Sequence, residues 1–376
     1  MRILVVGNYE LDAQESMQRY ATWLERTLEG RGHRVTVANP RPFFSRLARR
    51  RGLVKYLGYL DKFLLFPPRL RQLAKAHDLV HIADHSNSMY LRTVRGKPNL
   101  ITCHDLLAIR AARGEFPQSP TGWSGRLLQR WILSGLRAAR NVLCNSAKTA
   151  NDLKALTGET GAEVRVVPLS LNWSYRPGAT LPSDLVSRLG LRPGQPYLLH
   201  VGGNFWYKNR AGVLHIFARL AAMEEFSTAV LVVAGKPLTA ETISLIREER
   251  LGERVIEAGS VTNEELQALY GNALALLFPS LEEGFGWPIL EAQACGCPVI
   301  TTCRPPMSEV AGEAAIFIDP ANPQTAATAI VEGLQDRERL RTAGFLNLVR
   351  FDNEAIADKY CNFYEAILGD RPASAR

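Results

Sequence analysis

No stretch of this 376-residue chain holds the roughly 18–20 consecutive apolar residues that a membrane-spanning helix needs. The first residues, Met1-Arg2-Ile3-Leu4-Val5-Val6-Gly7, lack the pattern of a signal peptide, so a cytosolic protein is expected. Cysteine is scarce, with six in all, and Cys295-Gly-Cys297 misses the two-residue gap of zinc knuckles; reduced core thiols are expected and no metal site. No Asp-x-Asp pair occurs, which argues against a diphosphate clamped through a metal by such a pair. Low-complexity tracts and short tandem repeats are absent, and 46% hydrophobic with 22% charged residues excludes a disordered or fibrous chain. What remains is an ordinary folded protein, long enough for two cores.

The charge is uneven. Residues 1–170 carry 27 Lys plus Arg against 13 Asp plus Glu, net +14, whereas the remainder is net −6. Residues 41–75 alone hold ten cations and a single acid, Asp61. Within them Leu53, Leu57, Leu60 and Leu64, with Tyr56 and Phe63, fall at helical spacing, and Arg51, Lys55 and Lys62 lie on the other side. Such a helix suits an anionic membrane surface, or equally a core packing face with a solvated basic side. No zinc-finger or ribonucleoprotein motif accompanies the patch, so nucleic acid is not expected as a partner.

Short apolar, β-branched runs alternate with helical patterns along the chain. The first series runs through Ile3–Val6, Val35–Ala38, Leu79–Ile82, Leu100–Thr102, Val142–Cys144 and Val164–Val167. Continuous apolar runs suit parallel strands covered on both faces. Prolines and turn residues between Pro168 and Pro182 break the series, and a second follows: Tyr197–Val201, Val230–Ala234, Val255–Ala258, Leu274–Phe278, Val299–Thr301 and Ala315–Phe317. The expectation is α/β: two Rossmann-like doubly wound domains facing across a cleft, residues 1–170 and 186–352, joined by a linker at 171–185, with a C-terminal helix and tail at 353–376 that could pack on either domain.

The most informative stretch runs from Pro279 to Ile300. A strand leads into a loop with Glu283, Gly284, Phe285 and Gly286, and Pro288 marks the start of a helix. Free amides and the positive end of the helix dipole attract phosphate at such a corner, and the glycines let a ligand approach the backbone. Glu283 is placed in the loop; Glu291, placed in the first helical turn, could accept hydrogen bonds from ribose hydroxyls. Their bland reading is a solvated loop acid and a dipole-complementing helix acid.

These residues resemble the E-x7-E motif of the retaining glycosyltransferases of GT-B architecture, in the large family-4 class (glycosyl transferases group 1). The resemblance continues through Ala292–Ile300, Ser308–Gly312 and Ile318-Asp319-Pro320. A second match, His200-Val-Gly-Gly203-Asn204-Phe-Trp-Tyr-Lys208-Asn209-Arg210, is similar to the family's glycine turn, which implies Gly203 and Asn204 at the donor and Lys208 at the leaving diphosphate. Many relatives carry an arginine soon after the first glycine, absent here; Arg210 does not match its position and receives no role. The resemblance further implies that Ser260 and Val261 hold the nucleobase, where the residues alone suggest a capping box of Thr262 and Glu265. His104 and Asp105 resemble the cleft-lining His-Asp segment, and Ser146 a helix cap beside it. The first turn, Asn8–Ser16, departs from the family's glycine-rich loop and from G-x-G-x-x-G.

The resemblance thus implies retaining transfer of a hexosyl unit, with mannose in view, from a UDP- or GDP-sugar to a polysaccharide or lipid-linked glycan. Catalysis would rest on Glu283, His104 and Lys208 without metal or cofactor, in the cytoplasm or at the inner membrane face. The competing expectations are a nucleotide-sugar epimerase or sugar phosphorylase on the same plan, and a non-enzymatic basic scaffold at a membrane surface.

Overall fold

The computed structural model describes residues 1–12, 14–47 and 51–369, so Arg49 and Arg50 of the basic segment lie outside the described residues. The chain divides into two compact units. One contains the chain up to Asn172 together with the helix Asn353–Gly369, and the other runs from Trp173 to Asp352.

In the first unit six strands, β1 (Arg2–Val6), β2 (Arg34–Ala38), β3 (Leu79–Ile82), β4 (Asn99–Cys103), β5 (Asn141–Cys144) and β6 (Glu163–Val166), form a parallel sheet in the order β2-β1-β3-β4-β5-β6. In the second, β7 (Tyr197–Gly202), β8 (Val230–Gly235), β9 (Val255–Gly259), β10 (Ala275–Phe278), β11 (Val299–Thr302) and β12 (Ile316–Ile318) pair in the order β12-β11-β10-β7-β8-β9, again all parallel. The central strands are largely apolar because helices cover both of their faces, with His81, Thr102 and His200 as buried polar exceptions; β3 and β10 have every residue buried. The edge strands β2, β6 and β9 have no neighbour on one side and are partly exposed, so the expectation of full burial fails there.

Both sheets are wound outward from an inner strand. The chain leaves β1 to one side and returns to place β3 on the other; it leaves β7 toward β8 and β9 and returns to place β10 on the opposite side. The loops after β1 and β3, and those after β7 and β10, therefore diverge from neighbouring strand ends and open a crevice in each unit.

The basic segment differs from the single helix expected. Helix Arg51–Leu60 passes through a π-helical turn, Asp61–Leu65, into helix Phe66–Lys75. The extra residue in that turn shifts the phase, so the core is met by Asp61, Phe66, Leu70 and Ala74 while Leu53, Leu60 and Leu64 stay exposed. Lys62 does not lie on an open basic face; its ammonium pairs with Asp12 at 2.9 Å and sits over the Tyr9 and Tyr59 rings. Four cysteines, Cys103, Cys144, Cys295 and Cys297, are buried thiols as expected, whereas Cys303 is exposed and Cys361 half-buried.

The helix Asn353–Gly369 docks on the first unit through a buried polar string. Tyr360 and Tyr20 hydroxyls meet at 3.0 Å, Tyr20 reaches Thr102 at 2.9 Å, and His81 bridges Thr102 and the Tyr364 hydroxyl at 2.7 Å each. Burial drives the His81 imidazole down to about 3, so the ring is neutral and its tautomer is set by these partners. Tyr364→Phe leaves His81 Nδ1 without its partner; equilibrium urea unfolding is expected to register a loss of about 1–3 kcal/mol.

Candidate functional site

The second unit's crevice is built by two loops at adjacent strand ends. After β7 the chain passes Gly203 and Asn204 into a short 3-10 turn, Trp206–Lys208, and then Asn209 takes a left-handed conformation at φ 55° to cap helix Arg210–Ala221. The Asn209 carboxamide accepts from Gly212 N at 3.2 Å and donates to Pro279 O at 3.0 Å, while Leu281 N donates to Tyr207 O at 2.8 Å. These bonds fasten the β7 loop to the β10 loop. At the junction Lys208 Nζ donates to Glu283 Oε1 at 2.6 Å, with side chains only 14% and 8% exposed, and the ammonium lies 4.9 Å from the Phe278 ring centre.

Glycines permit this closeness. A Cβ on Gly202 would sit 3.3 Å from Lys208 Cδ, and one on Gly235, at φ 124°, would fall 2.2 Å from Gly202 O. Gly286, at φ 104°, caps helix Trp287–Ala294, where Pro288 occupies the first turn and forfeits no hydrogen bond. His200 lies fully buried in β7 below the lysine; burial lowers it to about 4, so it adds no competing charge.

Several expected site residues behave differently from their sequence reading. Glu283 is a loop residue but buried and ion-paired, not solvated. Glu291 is the fifth residue of its helix, past the first turn, and is 4% exposed with Tyr270 OH donating to it at 3.0 Å; both the first-turn placement and the dipole role fall away. Phe285 is buried edge-on against Phe351, so it can offer a ligand only its backbone. Asn204 spends its side chain on Pro237 O and on Arg210. Arg210 in turn donates to Gly202 O and Lys236 O at 2.8 and 2.7 Å, which makes it the brace of the glycine loop and explains why it cannot replace the missing arginine. Ser260 is exposed and Val261 half-buried just before the capping box, which forms as expected: Thr262 Oγ1 accepts from Glu265 N at 3.2 Å and Glu265 Oε2 from Thr262 N at 2.9 Å.

In the first unit His104 follows β4, buried, with Nε2 donating to Ala83 O at 2.8 Å, its edge on Tyr20 at 4.5 Å, and Nδ1 without a partner. Burial holds this imidazole below its ordinary 6.5. Asp105 accepts from Leu107 N at 3.0 Å and starts the next helix; Ser146 caps helix Ala147–Thr157 by accepting from Thr149 N at 3.1 Å.

The polar centre of this unit is one that the sequence reading missed. Asp84, after β3, accepts from Asn8 Nδ2 at 2.5 Å and Ser86 N at 3.1 Å and lies 3.0 Å from His85 Nδ1. Asn8 follows β1 and also accepts from Asn87 Nδ2 at 2.8 Å. Burial opposes ionisation of Asp84, but the His85 charge and the surrounding donors hold its carboxyl well below the usual range. Burial likewise works against protonated His85, yet Asp84 lifts it above 6.5. The one signal in the sequence is an Asp-His pair directly after an apolar run, beside the Asn that follows the first run.

Comparison with known proteins gives two family matches that together span most of the chain. Residues 184–344 match the glycosyl transferases group 1 family, and residues 17–172 match glycosyltransferase family 4. O-antigen chain mannosyltransferase B of Escherichia coli is 27% identical over 314 residues, covering 82% of this chain and 80% of that protein. D-inositol 3-phosphate glycosyltransferase of Nocardia farcinica is 28% identical over 286 residues, 73% of this chain and 62% of that one. Among solved structures, sucrose-phosphate synthase from Thermosynechococcus elongatus superposes with a TM-score of 0.76 at 19% identity, over 99% of this chain and 100% of that one. Anabaena HepE in complex with UDP-glucose gives 0.68 at 18% identity, over 97% and 100%. These structural likenesses carry the GT-B fold.

The Asp84–His85 pair has a defined pH signature. A raised His85 stabilises the folded unit fully below 6.5 and loses that contribution as pH rises through the raised value; depressed Asp84 contributes above the ordinary carboxyl range and loses it on acidification. Histidine NMR titration is expected to find His85 above 6.5 in the native protein and below 6.5 in Asp84→Asn, where burial, the largest influence, is opposed only by the smaller effect of the Asp105 charge.

Proposed function

Because this chain belongs to the group 1 glycosyltransferases of GT-B architecture, we propose that it moves a hexosyl unit, mannose in the first instance, from a UDP- or GDP-sugar to a polysaccharide or lipid-linked glycan with retention at the anomeric carbon. The observation that carries the reading is the meeting of Lys208 and Glu283 at the point where the second sheet reverses direction, beside a glycine-capped helix start. O-antigen mannosyltransferases among the relatives support the sugar and the class of acceptor.

In this reading the donor diphosphate lies against the Gly203 loop and the Gly284–Gly286 turn, and Lys208 turns from Glu283 to the phosphate oxygens. As the bond from the anomeric carbon to the diphosphate oxygen breaks, negative charge grows on that oxygen and is met by the lysine and by backbone amides already fixed in place. Glu283, released from the lysine, faces the sugar and stabilises the positive charge that develops on it. The acceptor oxygen forms the new bond on the same face and its proton passes to the departing diphosphate, so Glu283 is not a covalent nucleophile. This chemistry requires no metal or cofactor at the diphosphate, and the sequence offers no Asp-x-Asp pair to hold a metal there.

Glu291 with Tyr270 supports the ribose from below, and the backbone of Ser260 and Val261 the base. The first unit serves the acceptor, with His104, Asp105 and Ser146 beside the Asn8–Asp84–His85 centre. We place the enzyme in the cytoplasm at the inner membrane face, attached through the basic segment 41–75.

Donor consumption measured against a panel of UDP- and GDP-sugars, with and without a glycan acceptor, is expected to require the acceptor. Lys208→Ala and Glu283→Ala should each lower turnover by about 10²–10³-fold with the fold intact by circular dichroism. Native rates in both variants would remove the proposal, and acceptor-independent consumption would point to an epimerase.

A further inference from the structure

We infer that the outward face of helix Trp123–Arg137, joined to the exposed apolar row of residues 53–64, is a docking surface for an anionic lipid bilayer, with Trp123, Leu127 and Trp131 as the inserted side chains. This goes beyond attachment by a basic segment, because it assigns the apolar anchor to a helix outside that segment, and it stands apart from the donor chemistry.

Trp123, Leu127 and Trp131 follow one another at helical i, i+4, i+8 spacing and are 75%, 53% and 37% exposed. The same helix buries Ile132, Leu133 and Leu136 inward, so the outer row is surplus to the core. Arg126 and Arg130 are exposed between these apolar positions, and no acidic residue occurs from 123 to 137. A second row, Leu53, Tyr56, Leu60 and Leu64, is 41–60% exposed along the neighbouring helical segment. The rows are one surface: the Trp131 and Phe63 rings meet edge-on at 4.6 Å, and Phe63 stacks on Tyr59 at 5.6 Å. Among the described residues, ten of the eighteen exposed large apolar side chains lie in segments 43–65 and 123–131. Monomeric proteins rarely leave so much apolar surface in one region without a use for it.

The charge selects the occupant. Asp61, the single acid of residues 41–75, is turned inward, where Tyr9 OH and the backbone of Phe44 and Ser45 bond it. Arg46, Lys55, Arg69, Arg126 and Arg130 are exposed cations in or next to the apolar rows, and the exposed acid that reaches this surface, Asp12, is paired with Lys62, so the balance is positive. Tryptophan and leucine interleaved with arginine on one helix face match the boundary between anionic headgroups and acyl chains, where the rings enter the apolar layer and the guanidinium groups remain among the phosphates. At fifteen residues with three arginines, the helix lies along such a surface and does not cross it.

Flotation of the full chain with phosphatidylcholine vesicles, with and without phosphatidylglycerol, tests this. Binding is expected only with phosphatidylglycerol and should weaken with salt. The Trp123→Ala/Leu127→Ala pair and the triple variant adding Trp131→Ala should each weaken binding by roughly tenfold or more, and Arg126→Gln/Arg130→Gln should blunt its dependence on phosphatidylglycerol. Native-like binding by the triple variant overturns the proposal. So does a lipid-free dimer, seen by analytical ultracentrifugation, that the triple variant dissolves without changing vesicle binding, since the face would then be a contact between copies. Nucleotide-sugar turnover without vesicles is a separate readout: it should persist in these variants, so failure of docking and failure of the donor site are told apart.

Discussion

The hydrogen-bonded ion pair between Lys208 and Glu283 is the constraint on which the chemistry proposed for the second unit depends. It exists because a parallel sheet wound outward from β7 must return to add β10 beside it, so the loops after these strands leave in opposite senses and meet only at their bases. A lysine ends one base and a glutamate occupies the other, 2.6 Å apart and largely removed from water. Taking two charges out of water costs several kcal/mol each, and either one left alone would be strongly unfavourable. Paired, the two charges cancel. In the function proposed above, a nucleoside diphosphate would take the lysine and leave the carboxylate to the sugar, so that exchange of one ion pair for two new contacts would connect binding to chemistry.

The first unit repeats the arrangement with other residues. Its direction reverses between β1 and β3, and there Asn8 and Asp84 meet at 2.5 Å, with His85 and His104 adjoining. The same winding produces both centres; only the side chains differ. A carboxylate held charged, an imidazole lifted by it and another pressed down by burial give this unit a polar centre suited to hydroxyl-rich ligands, whereas the second unit, with its lysine and glycine turns, suits phosphate.

Much of this was legible in the residues. The central strands lie on largely continuous apolar runs, because a strand covered on both faces has no polar side to alternate with, whereas the edge strands β2, β6 and β9 keep polar, exposed positions. The Glu283 loop was legible because glycines, a proline and charged residues cluster directly after a strand, whereas Lys208 stood out only through the resemblance of its segment to the family's glycine turn. The Asn8–Asp84–His85 centre was not legible, since Asn8 is more than seventy residues from Asp84 and His85 and only the strand order brings them together. Glu291 was misplaced by a single residue at the helix start, enough to turn a first-turn acid into a buried one held by Tyr270. The helix at 51–75 was read in one phase, but a π turn cannot be seen in a periodicity, and that turn decides which leucines face water. The role of Arg210 was open in the sequence because it depends on three loop carbonyls and Asn204 converging on one guanidinium.

The central claim concerns what happens to the Lys208–Glu283 pair when a donor arrives. A crystal structure of the protein with an intact UDP- or GDP-sugar addresses it most directly. The account predicts the diphosphate between the Gly203 loop and the Gly284–Gly286 turn, Lys208 Nζ within hydrogen-bond distance of a phosphate oxygen, and Glu283 turned toward the sugar. A nucleotide sugar lodged elsewhere, or bound at that corner with the lysine still on Glu283, would contradict it.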